Sequence, residues 1–323
     1  MAGLRVVLSG VLLGLIFARV PLENVIGSIA GADIRLLLLG GITFLALHYV
    51  SAWKLYYLIG PQKIVASVAK LYGINLVAHF YGCVLPVGGA ASSAVRWYKL
   101  ATIDGQRAQA FAAIALNRII EFLAIAAIGL GAWVLDPHPG RLWVMGGIAS
   151  SFLAIFLVVY VVSFSATLLA AACRAIERLG RLLPGVAARL AKLAVALSQY
   201  PRLTLPERLR LLSLALLRNV LGVCAFYLLA SAIDLHLSLL TLAWVRSATT
   251  LLTFVPLAFL GVGVREVTLI YLLGPYGVPD SAAVALGFLY LAANLAVAIV
   301  GGAIEVYGVF GRSAVGHHKS PPS

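Results

Sequence analysis

Two arginines, Arg96 and Arg265, each follow an apolar stretch that is broken by proline and glycine. Arg96 lies ten residues after Pro86, and Arg265 lies nine residues after Pro256. A helix that breaks and then resumes exposes free backbone N–H groups at the start of its second half, where the helix dipole is positive. A positive helix start beside arginine suits phosphate or carboxylate, so this pattern predicts a binding site for an anionic ligand.

The breaks themselves contain residues that let the backbone turn and approach a ligand closely. We therefore assign hinge roles to Pro86, Gly88, Gly89, Pro256, Gly261 and Gly263. Broken apolar segments in both halves of a chain are typical of transporters, whose central site lies between the two breaks.

Further candidates are polar side chains inside apolar stretches, where each ionisable group costs about 2.5–3.5 kcal/mol on insertion scales. Arg118 and Glu121 are spaced i,i+3 and share a helix face, so we expect them to pair. Asn117, four residues before Glu121, adds an amide to that face. Asn294 and Glu305 are eleven residues apart, almost three full turns, and also share a face.

The predicted substrate-binding residues are those that carry charge or an amide within or beside these apolar segments: Arg96, Asn117, Arg118, Glu121, Arg265, Glu266, Asn294 and Glu305. Arg246 is a further ionisable residue in the second broken region. An alternative for Arg118 and Glu121 is a self-neutralised pair that only holds helices together.

Composition determines the class of protein that must position these residues. Of 323 residues, 62% are hydrophobic and 11% are charged, and the mean hydropathy is +1.03. These values are typical of a polytopic membrane protein. We find no polar stretch of about 50 residues that could form a soluble domain. We predict one membrane domain over residues 1–311 and a polar C-terminal tail over 312–323.

Six apolar segments reach the roughly 17–25 residues that a membrane span needs: Leu4–Val20, Leu36–Trp53, Ala108–Leu135, Leu142–Ala172, Leu211–Ser231 and Ala282–Gly308. We expect the first to be an uncleaved span, because no small-x-small cleavage site follows it. The two broken segments, about Ser67–Ala94 and Leu239–Leu273, are each either two spans or one re-entrant hairpin.

Charge placement orients these segments. The chain carries 24 Lys and Arg against 11 Asp and Glu, and basic residues crowd the connection 173–210, which makes that region cytoplasmic. The loops at Asp234 and Asp280 contain no Lys or Arg and are expected outside. Two loops on one side require an even number of crossings between them, which favours a hairpin that enters from outside. Working back, the stretches with Lys54 and Lys99 fall inside, so the first hairpin enters from the cytoplasm.

The sequence thus predicts an all-α integral membrane protein of about six full spans and two re-entrant hairpins in a pseudo-symmetric inverted repeat. Both termini are expected in the cytoplasm, and the location is the cell (inner or plasma) membrane. About ten full spans with the same termini is the alternative.

The basic connection 173–210 has apolar residues at near-helical spacing with Arg and Lys between them, and it is interrupted at Pro184-Gly185. This pattern predicts an interfacial amphipathic helix on an anionic inner leaflet. Its role is either lipid recruitment or a positively charged topology anchor. The net charge of +13 therefore needs no nucleic-acid partner.

Motifs for other chemistry are not found. Cys83, Cys173 and Cys224 lie far apart, and His317-His318 has no neighbouring ligands, so we expect no disulfide, metal or cofactor. The sequence contains no Gly-rich Lys-Ser/Thr phosphate loop, no His-Glu-x-x-His and no Gly-x-Ser-x-Gly. We therefore expect no ATP hydrolysis and no enzymatic step.

Taken together, the chain resembles the flippase-like transmembrane domain of the lysylphosphatidylglycerol synthase family over most of its length. The resemblance rests on three runs, Leu85-Pro86 with Ala94-Val95-Arg96, Asn117-Arg118-Ile119-Ile120-Glu121, and Gly261-Val262-Gly263-Val264-Arg265-Glu266, followed by Gly277-Val278-Pro279 and Gly301-Gly302. It implies movement of lipids with charged or glycosylated headgroups between leaflets. It covers the transmembrane domain without the cytoplasmic synthase domain, so it does not imply lipid lysylation.

Three positions depart from the family pattern. Ser93 and Asn117 stand where acidic residues are common, and an arginine of the last span is replaced near Tyr290. These differences affect the charge of the expected site and therefore the headgroup that it accepts.

We hypothesise a lipid transporter without an enzymatic step, whose substrate is a membrane lipid with an anionic, glycosylated or polyprenyl-phosphate-linked headgroup. A lipid-synthesis enzyme is a possible partner. The alternatives are a membrane subunit of a lipid-headgroup or glycolipid transferase system and a non-transporting membrane scaffold. An intramembrane arginine is a costly choice for a scaffold, which could use Ser or Ala instead.

Overall fold

The protein is seen in a computed structural model that describes residues 2–85, 89–138, 142–180, 184–198, 200, 203–253 and 262–316. These residues are almost entirely α-helical, and no strand occurs among them. In chain order the helices are α1 Ala2–Phe17, α2 Leu22–Ala30, α3 Ile34–Ile59, α4 Val68–Val84, α5 Gly89–Asp104, α6 Arg107–Leu135, α7 Trp143–Ser163, α8 Ala166–Gly180, α9 Pro184–Ser198, α10 Leu205–Ala232, α11 Leu239–Thr253, α12 Val264–Leu273 and α13 Asp280–Gly316.

Five helical segments are long and apolar enough to cross a membrane: Ile34–Gln62, Arg107–Leu135, Trp143–Ser163, Leu205–Ala232 and Asp280–Tyr307. Gly10–Phe17 and Leu22–Ala30, which meet at an angle of 89°, give a sixth if they form one broken span. The prediction of an all-α integral membrane protein is therefore confirmed, with five or six candidate spans.

Two predicted spans end as helices earlier in the structure than the sequence predicts. The segment predicted as Leu4–Val20 ends as a helix at Phe17, and the chain bends before Pro21, because proline restricts the residue before it to extended backbone. The segment predicted as Leu142–Ala172 is α7 followed by α8. The Ser165 hydroxyl accepts a hydrogen bond from the Leu168 N–H at 3.4 Å, so Ser165 caps the start of α8.

The basic connection 173–210 contains the end of α8, all of α9 and the start of α10. Helix α8 ends at Gly180, and α9 begins at Pro184, a first-turn proline that lacks only an N–H the helix could not pair. At the start of α10, the Glu207 carboxylate accepts hydrogen bonds from the Thr204 N–H at 2.7 Å and from the Thr204 hydroxyl at 2.8 Å. At the other end of the chain, α13 continues to Gly316, into the segment predicted as a polar tail.

Each broken segment has one helix before its predicted break and a second helix after it. The first gives α4 and α5, which pack against each other, and the second gives α11 and α12. Entry of the two segments from opposite membrane faces, and the inverted repeat, remain predictions.

A repeat that the sequence analysis missed joins α3 to α4 and α12 to α13. The pattern Leu-x-Tyr-Leu-x-Gly-Pro occurs at 55–61 and at 269–275. Both copies end in a short 3₁₀ turn, Gly60–Gln62 and Gly274–Tyr276, followed by a residue with left-handed backbone, Lys63 with φ 60° and Gly277 with φ 76°. Each left-handed residue donates its N–H to the carbonyl of the turn's glycine at 2.9 Å. The two corners therefore have the same local structure.

The helices differ widely in how much of their surface the protein covers. In the apolar window of α6, 72% of residues are buried, whereas in that of α7 only 6% are. Helix α6 is therefore the central helix of the fold, and α7 faces lipid over most of its surface, as a helix in an apolar solvent can.

A polar cluster at the end of α6 ties it to α11. The Asp136 carboxylate accepts hydrogen bonds from Tyr276 Oη at 2.7 Å, Trp244 Nε1 at 2.8 Å and Thr241 Oγ1 at 3.2 Å. The His138 N–H donates to the other oxygen at 3.2 Å. Burial disfavours the carboxylate, but these hydrogen bonds outweigh burial and hold the pKa of Asp136 below its usual range.

Helices α4 and α13 approach so closely that their backbones touch. A Cβ added at Gly301 would lie 2.1 Å from the carbonyl oxygen of Leu76, and one at Gly302 would lie 3.0 Å from the Phe80 ring. Only glycine fits the first of these positions without movement of the helices, which is how small residues allow close helix contacts in membranes.

We expect Gly301→Ala to destabilise the protein by about 1–3 kcal/mol, because overpacking forces the two backbones apart. Gly147→Ala on the exposed face of α7 is the matched control, since a Cβ there meets nothing within 4 Å. Thermal unfolding in detergent measures both. A melting temperature of Gly301→Ala equal to that of the control would contradict the tight contact.

Candidate functional site

The carboxylate of Glu121 on α6 binds cations from two neighbouring helices. It forms a buried ion pair with Lys54 of α3, whose side chain is 0% exposed. Its second oxygen accepts a hydrogen bond from Arg218 Nη1 of α10 at 3.0 Å. Asn219 Nδ2 contacts the same oxygen at 3.4 Å. Three spanning helices therefore meet at one buried carboxylate.

The predicted pairing of Arg118 with Glu121 is wrong. Arg118 instead donates to Ser93 Oγ, from Nε at 2.9 Å and from Nη2 at 2.7 Å, and its Nη2 also donates to the Gly89 carbonyl at 2.9 Å. The i,i+3 spacing puts both residues on one face of α6, but their long side chains extend toward different neighbours. Arg118 therefore fixes the start of α5 to α6.

Lys54 differs from its predicted position near the cytoplasmic end of a span. Helix α3 continues to Ile59 instead of ending near Trp53, so Lys54 lies within the helix and is fully buried. A buried ammonium requires a partner. Glu121 supplies it.

Arg96 on α5 is buried, at 9% exposure, and its Nε has no hydrogen-bond partner among the described residues. It lies within electrostatic range of Arg118 and Arg218. A buried guanidinium that faces other cations has lost water without gaining a carboxylate. The Arg96 guanidinium can therefore donate a further hydrogen bond to an anion.

Arg246 on α11 is in a similar condition. It is 6% exposed, and its Nε and Nη1 have no hydrogen-bond partner in the part of the chain that the structure describes. Its guanidinium packs directly on α10, since a Cβ added at Gly222 would lie 2.2 Å from Nη2. It lies within electrostatic range of Arg218, and its side chain interacts with the Tyr290 hydroxyl, including through a hydrogen bond. Gly222 thus makes the space that lets Arg246 reach the site.

Arg265 joins this group through Tyr290 of α13. Its guanidinium carbon lies 5.1 Å from the centre of the Tyr290 ring, a cation–π contact. The ring also packs edge-on against Phe44 and Phe226, at 5.5 and 5.7 Å. The Tyr290 ring therefore orients Arg265. Tyr290 itself lies near the position in the last span where the family resemblance predicts a further arginine.

We call the six basic residues gathered here the cationic cluster: Lys54, Arg96, Arg118, Arg218, Arg246 and Arg265. The described carboxylates beside them are Glu121 and Glu266. Six cations against two carboxylates leave an excess of positive charge in the interior of a membrane protein, where each uncompensated charge is costly.

Glu266 caps the start of α12. It is fully buried, and its Oε2 accepts a hydrogen bond from the Gly263 N–H at 2.6 Å. Gly263 has φ 86°, a left-handed conformation that favours glycine. The Glu266 side chain packs against Gly287 of α13, where an added Cβ would lie 2.9 Å from Oε1. Glu266 therefore places Arg265 by capping the helix that carries it.

The remaining predicted residues lie at different places. Asn117 is buried in α6, and its Oδ1 has no hydrogen-bond partner among the described residues. Asn294 donates from Nδ2 to the Tyr290 carbonyl of its own helix at 2.7 Å. Glu305 binds Lys99 Nζ of α5 at 2.6 Å in a half-exposed ion pair. Asn294 and Glu305 both contact α4, but their side chains do not join the contacts made by Glu121.

Only two of the predicted hinge residues can be placed. Gly263 makes the left-handed turn already described, and Gly89 begins α5 and accepts the hydrogen bond from Arg118. Pro86, Gly88, Pro256 and Gly261 lie outside the described residues.

Sequence reasoning missed several residues of this site, which are Lys54, Arg218 and Asn219. Arg218 and Asn219 are adjacent within an apolar span, like Asn117 and Arg118, and this signal alone could have singled them out. Lys54 carried no such signal, because it stood at the edge of the predicted span.

The fold and the site together define a polytopic helical membrane protein with a cationic cluster between its helices, in which Lys54, Arg96 and Arg246 are buried. The family described as "Lysylphosphatidylglycerol synthase TM region" matches residues 3–302 of the 323, and the chain belongs to that family. No curated protein matches the chain.

Proposed function

We propose that this protein moves lipids with an anionic headgroup between the leaflets of the cell membrane. The observation that carries the proposal is the pair of buried arginines, Arg96 and Arg246, within a cluster of excess positive charge. Each keeps at least one guanidinium nitrogen without a hydrogen-bond partner among the described residues. A bound anion removes the cost of burying these charges, so the site favours a negatively charged ligand.

Phosphate is the headgroup chemistry that suits arginine best. The planar guanidinium fork presents two parallel N–H donors to two phosphate oxygens, which a lysine ammonium does not. A phosphorylated lipid delivers that group within the membrane while its acyl or prenyl chains remain in lipid. Phospholipids with a net negative charge and polyprenyl phosphates are the substrate classes that we propose.

The proposed transport includes no enzymatic step. The sequence shows no ATP-binding phosphate loop, so the movement is passive, coupled to an ion, or driven by a partner such as a lipid-synthesis enzyme. The positive-inside rule places the basic connection 173–210 in the cytoplasm. Counting the predicted crossings from that region places both termini in the cytoplasm as well.

Reconstitution tests the proposal directly. The purified protein is placed in vesicles that contain tail-labelled fluorescent phosphatidylglycerol, phosphatidic acid, a polyprenyl phosphate or phosphatidylcholine. A membrane-impermeant quencher then reports how fast label leaves the inner leaflet. We expect faster movement of the three anionic lipids than of zwitterionic phosphatidylcholine. Rates no faster than in protein-free vesicles, or equal for all four lipids, would contradict the proposal.

A further inference from the structure

Two histidines from different helices face each other beside the cationic cluster. The rings of His48 on α3 and His79 on α4 lie 4.7 Å apart between centroids, at an interplanar angle of 55°. His48 is buried, and His79 is partly buried. Neither was among the residues that the sequence analysis selected.

The contacts of His79 leave one ring nitrogen for a further proton. Its Nε2 lies 3.1 Å from the backbone carbonyl oxygen of Asn294. A carbonyl oxygen only accepts, so Nε2 carries the hydrogen of the neutral ring. Nδ1 then keeps the lone pair of the neutral ring. On the same helix, α4, the Cys83 sulfur also lies close to this ring, 3.8 Å from Nε2.

The charges that act on the pair come from several packed helices. Arg96 of α5 and Arg218 of α10 both lie within electrostatic range of His48 and His79. On α3, Lys54 follows His48 by six residues and is held by Glu121 of α6. Burial is the first factor that opposes a positive charge on either imidazole, and these groups, which are mainly cations, oppose it further while the cluster holds no anion.

Two further groups near the histidine pair lie on α12 and α13. Arg265 of α12 lies within electrostatic range of the Cys83 sulfur. On α13, the group that faces His79 is the Asn294 backbone carbonyl, which is polar but carries no charge. No carboxylate directly contacts either histidine among the described residues.

We propose that the His48–His79 pair takes up a proton when an anionic headgroup binds in the cationic cluster, so that headgroup binding is coupled to proton uptake. This inference rests on the proposed function, because it needs the anion site. Arg96 and Arg218 are shared by the two sites: they would attract the headgroup, and they repel a proton on the histidines. A bound anion cancels that repulsion.

The step is a simple proton transfer from water. One imidazole nitrogen accepts a proton and the ring becomes a cation, with no other bond made or broken. Two rings 4.7 Å apart favour one charge over two, because like charges at this distance repel, so we expect about one proton per headgroup. Linkage is reciprocal, and therefore headgroup binding tightens as the pH falls.

Binding of dihexanoyl-phosphatidylglycerol to the full-length protein in nanodiscs tests the coupling. This phosphodiester keeps one negative charge across the range studied, so any pH dependence belongs to the protein. Isothermal titration calorimetry at about pH 8 and about pH 5.5 brackets the ordinary range of histidine. We expect affinity at least about fivefold higher at the lower pH, the weak end of typical coupling. Repeating the titration near neutral pH in two buffers of different ionisation enthalpy counts the protons taken up.

His48→Gln and His79→Gln are the test variants, and in the second the introduced side-chain amide can still donate to the Asn294 carbonyl. In each single variant we expect the ratio of affinities at the two pH values to fall, and in the double variant we expect it to reach about one. His236→Gln, at an exposed loop position, is the matched control and should keep the wild-type ratio.

The outcomes separate the two proposals. No binding of the probe by the wild type at either pH overturns the anion site and the coupling with it. Binding with equal affinity at both pH values, or without proton uptake, overturns the coupling alone. If the variants fail to fold, the proton count on the wild type still decides the question.

Discussion

The Arg96→Gln variant is expected to lose transport of anionic lipids while its expression stays near that of the wild type. Arg96 is buried beside Arg118 and Arg218 and has a guanidinium nitrogen without a partner among the described residues, so its removal costs the empty protein little. The bound headgroup, in contrast, loses a charged hydrogen bond worth about 1.5–3 kcal/mol, which corresponds to roughly 10- to 100-fold weaker binding. The same vesicle assay measures the rate for each lipid.

Two further substitutions serve as controls for this prediction. Arg96→Lys should recover only part of the rate, because lysine supplies a point charge without the bidentate fork. Arg35→Gln, at an exposed position at the start of α3, should leave the rate unchanged. We expect similar losses in Arg246→Gln and Arg265→Gln. If Arg96→Gln and Arg265→Gln both moved anionic lipids at the wild-type rate and protein level, the anion site would have to be abandoned.

The Glu121→Gln variant is expected to be destabilised by about 3–5 kcal/mol, the usual cost of removing one partner from a buried ion pair. Glu121 is the carboxylate that Lys54 and Arg218 share, and the Lys54 side chain is 0% exposed. Without it, the ammonium is left uncompensated in the protein interior. Thermal or denaturant unfolding in detergent measures the loss.

Two further variants make this prediction specific to burial. The double variant Lys54→Met with Glu121→Gln should regain part of the lost stability, because it removes the stranded charge along with its partner. Glu305→Gln breaks another pair that bridges two helices, with Lys99, whose side chains are 23% and 27% exposed. Because the side chains of this pair are partly in contact with the surroundings, we expect it to contribute less than a buried pair, closer to the roughly 1 kcal/mol or less of exposed pairs. A loss in Glu121→Gln no greater than in Glu305→Gln would contradict a buried network at α6.

The amino-acid sequence was enough to establish the class of this protein. Hydropathy and the scarcity of charge identify membrane helices because transfer of each residue into lipid contributes to the total almost independently of its neighbours. Proline and glycine likewise mark helix breaks locally, and the structure has helices on both sides of each predicted break. The motifs around Arg96, Arg118 and Arg265 were sufficient to indicate the family.

Sequence also showed which residues are unusual, because any arginine within an apolar span is costly wherever its partners lie. It identified Arg96, Arg118 and Arg265 in this way. It also found the glycine turn at Gly263, whose positive φ is a local backbone property.

Which charges meet depends on how the helices pack in three dimensions. Helical spacing placed Arg118 and Glu121 on one face, yet Glu121 binds Lys54 and Arg218, and Arg118 binds the start of α5. Partners across helices depend on the rotation and relative depth of each helix, which packing of several helices sets together. Spacing within one helix carries no information about that arrangement. The shared carboxylate on α6 and the facing histidines therefore became visible only when α3, α4, α6 and α10 were seen packed together.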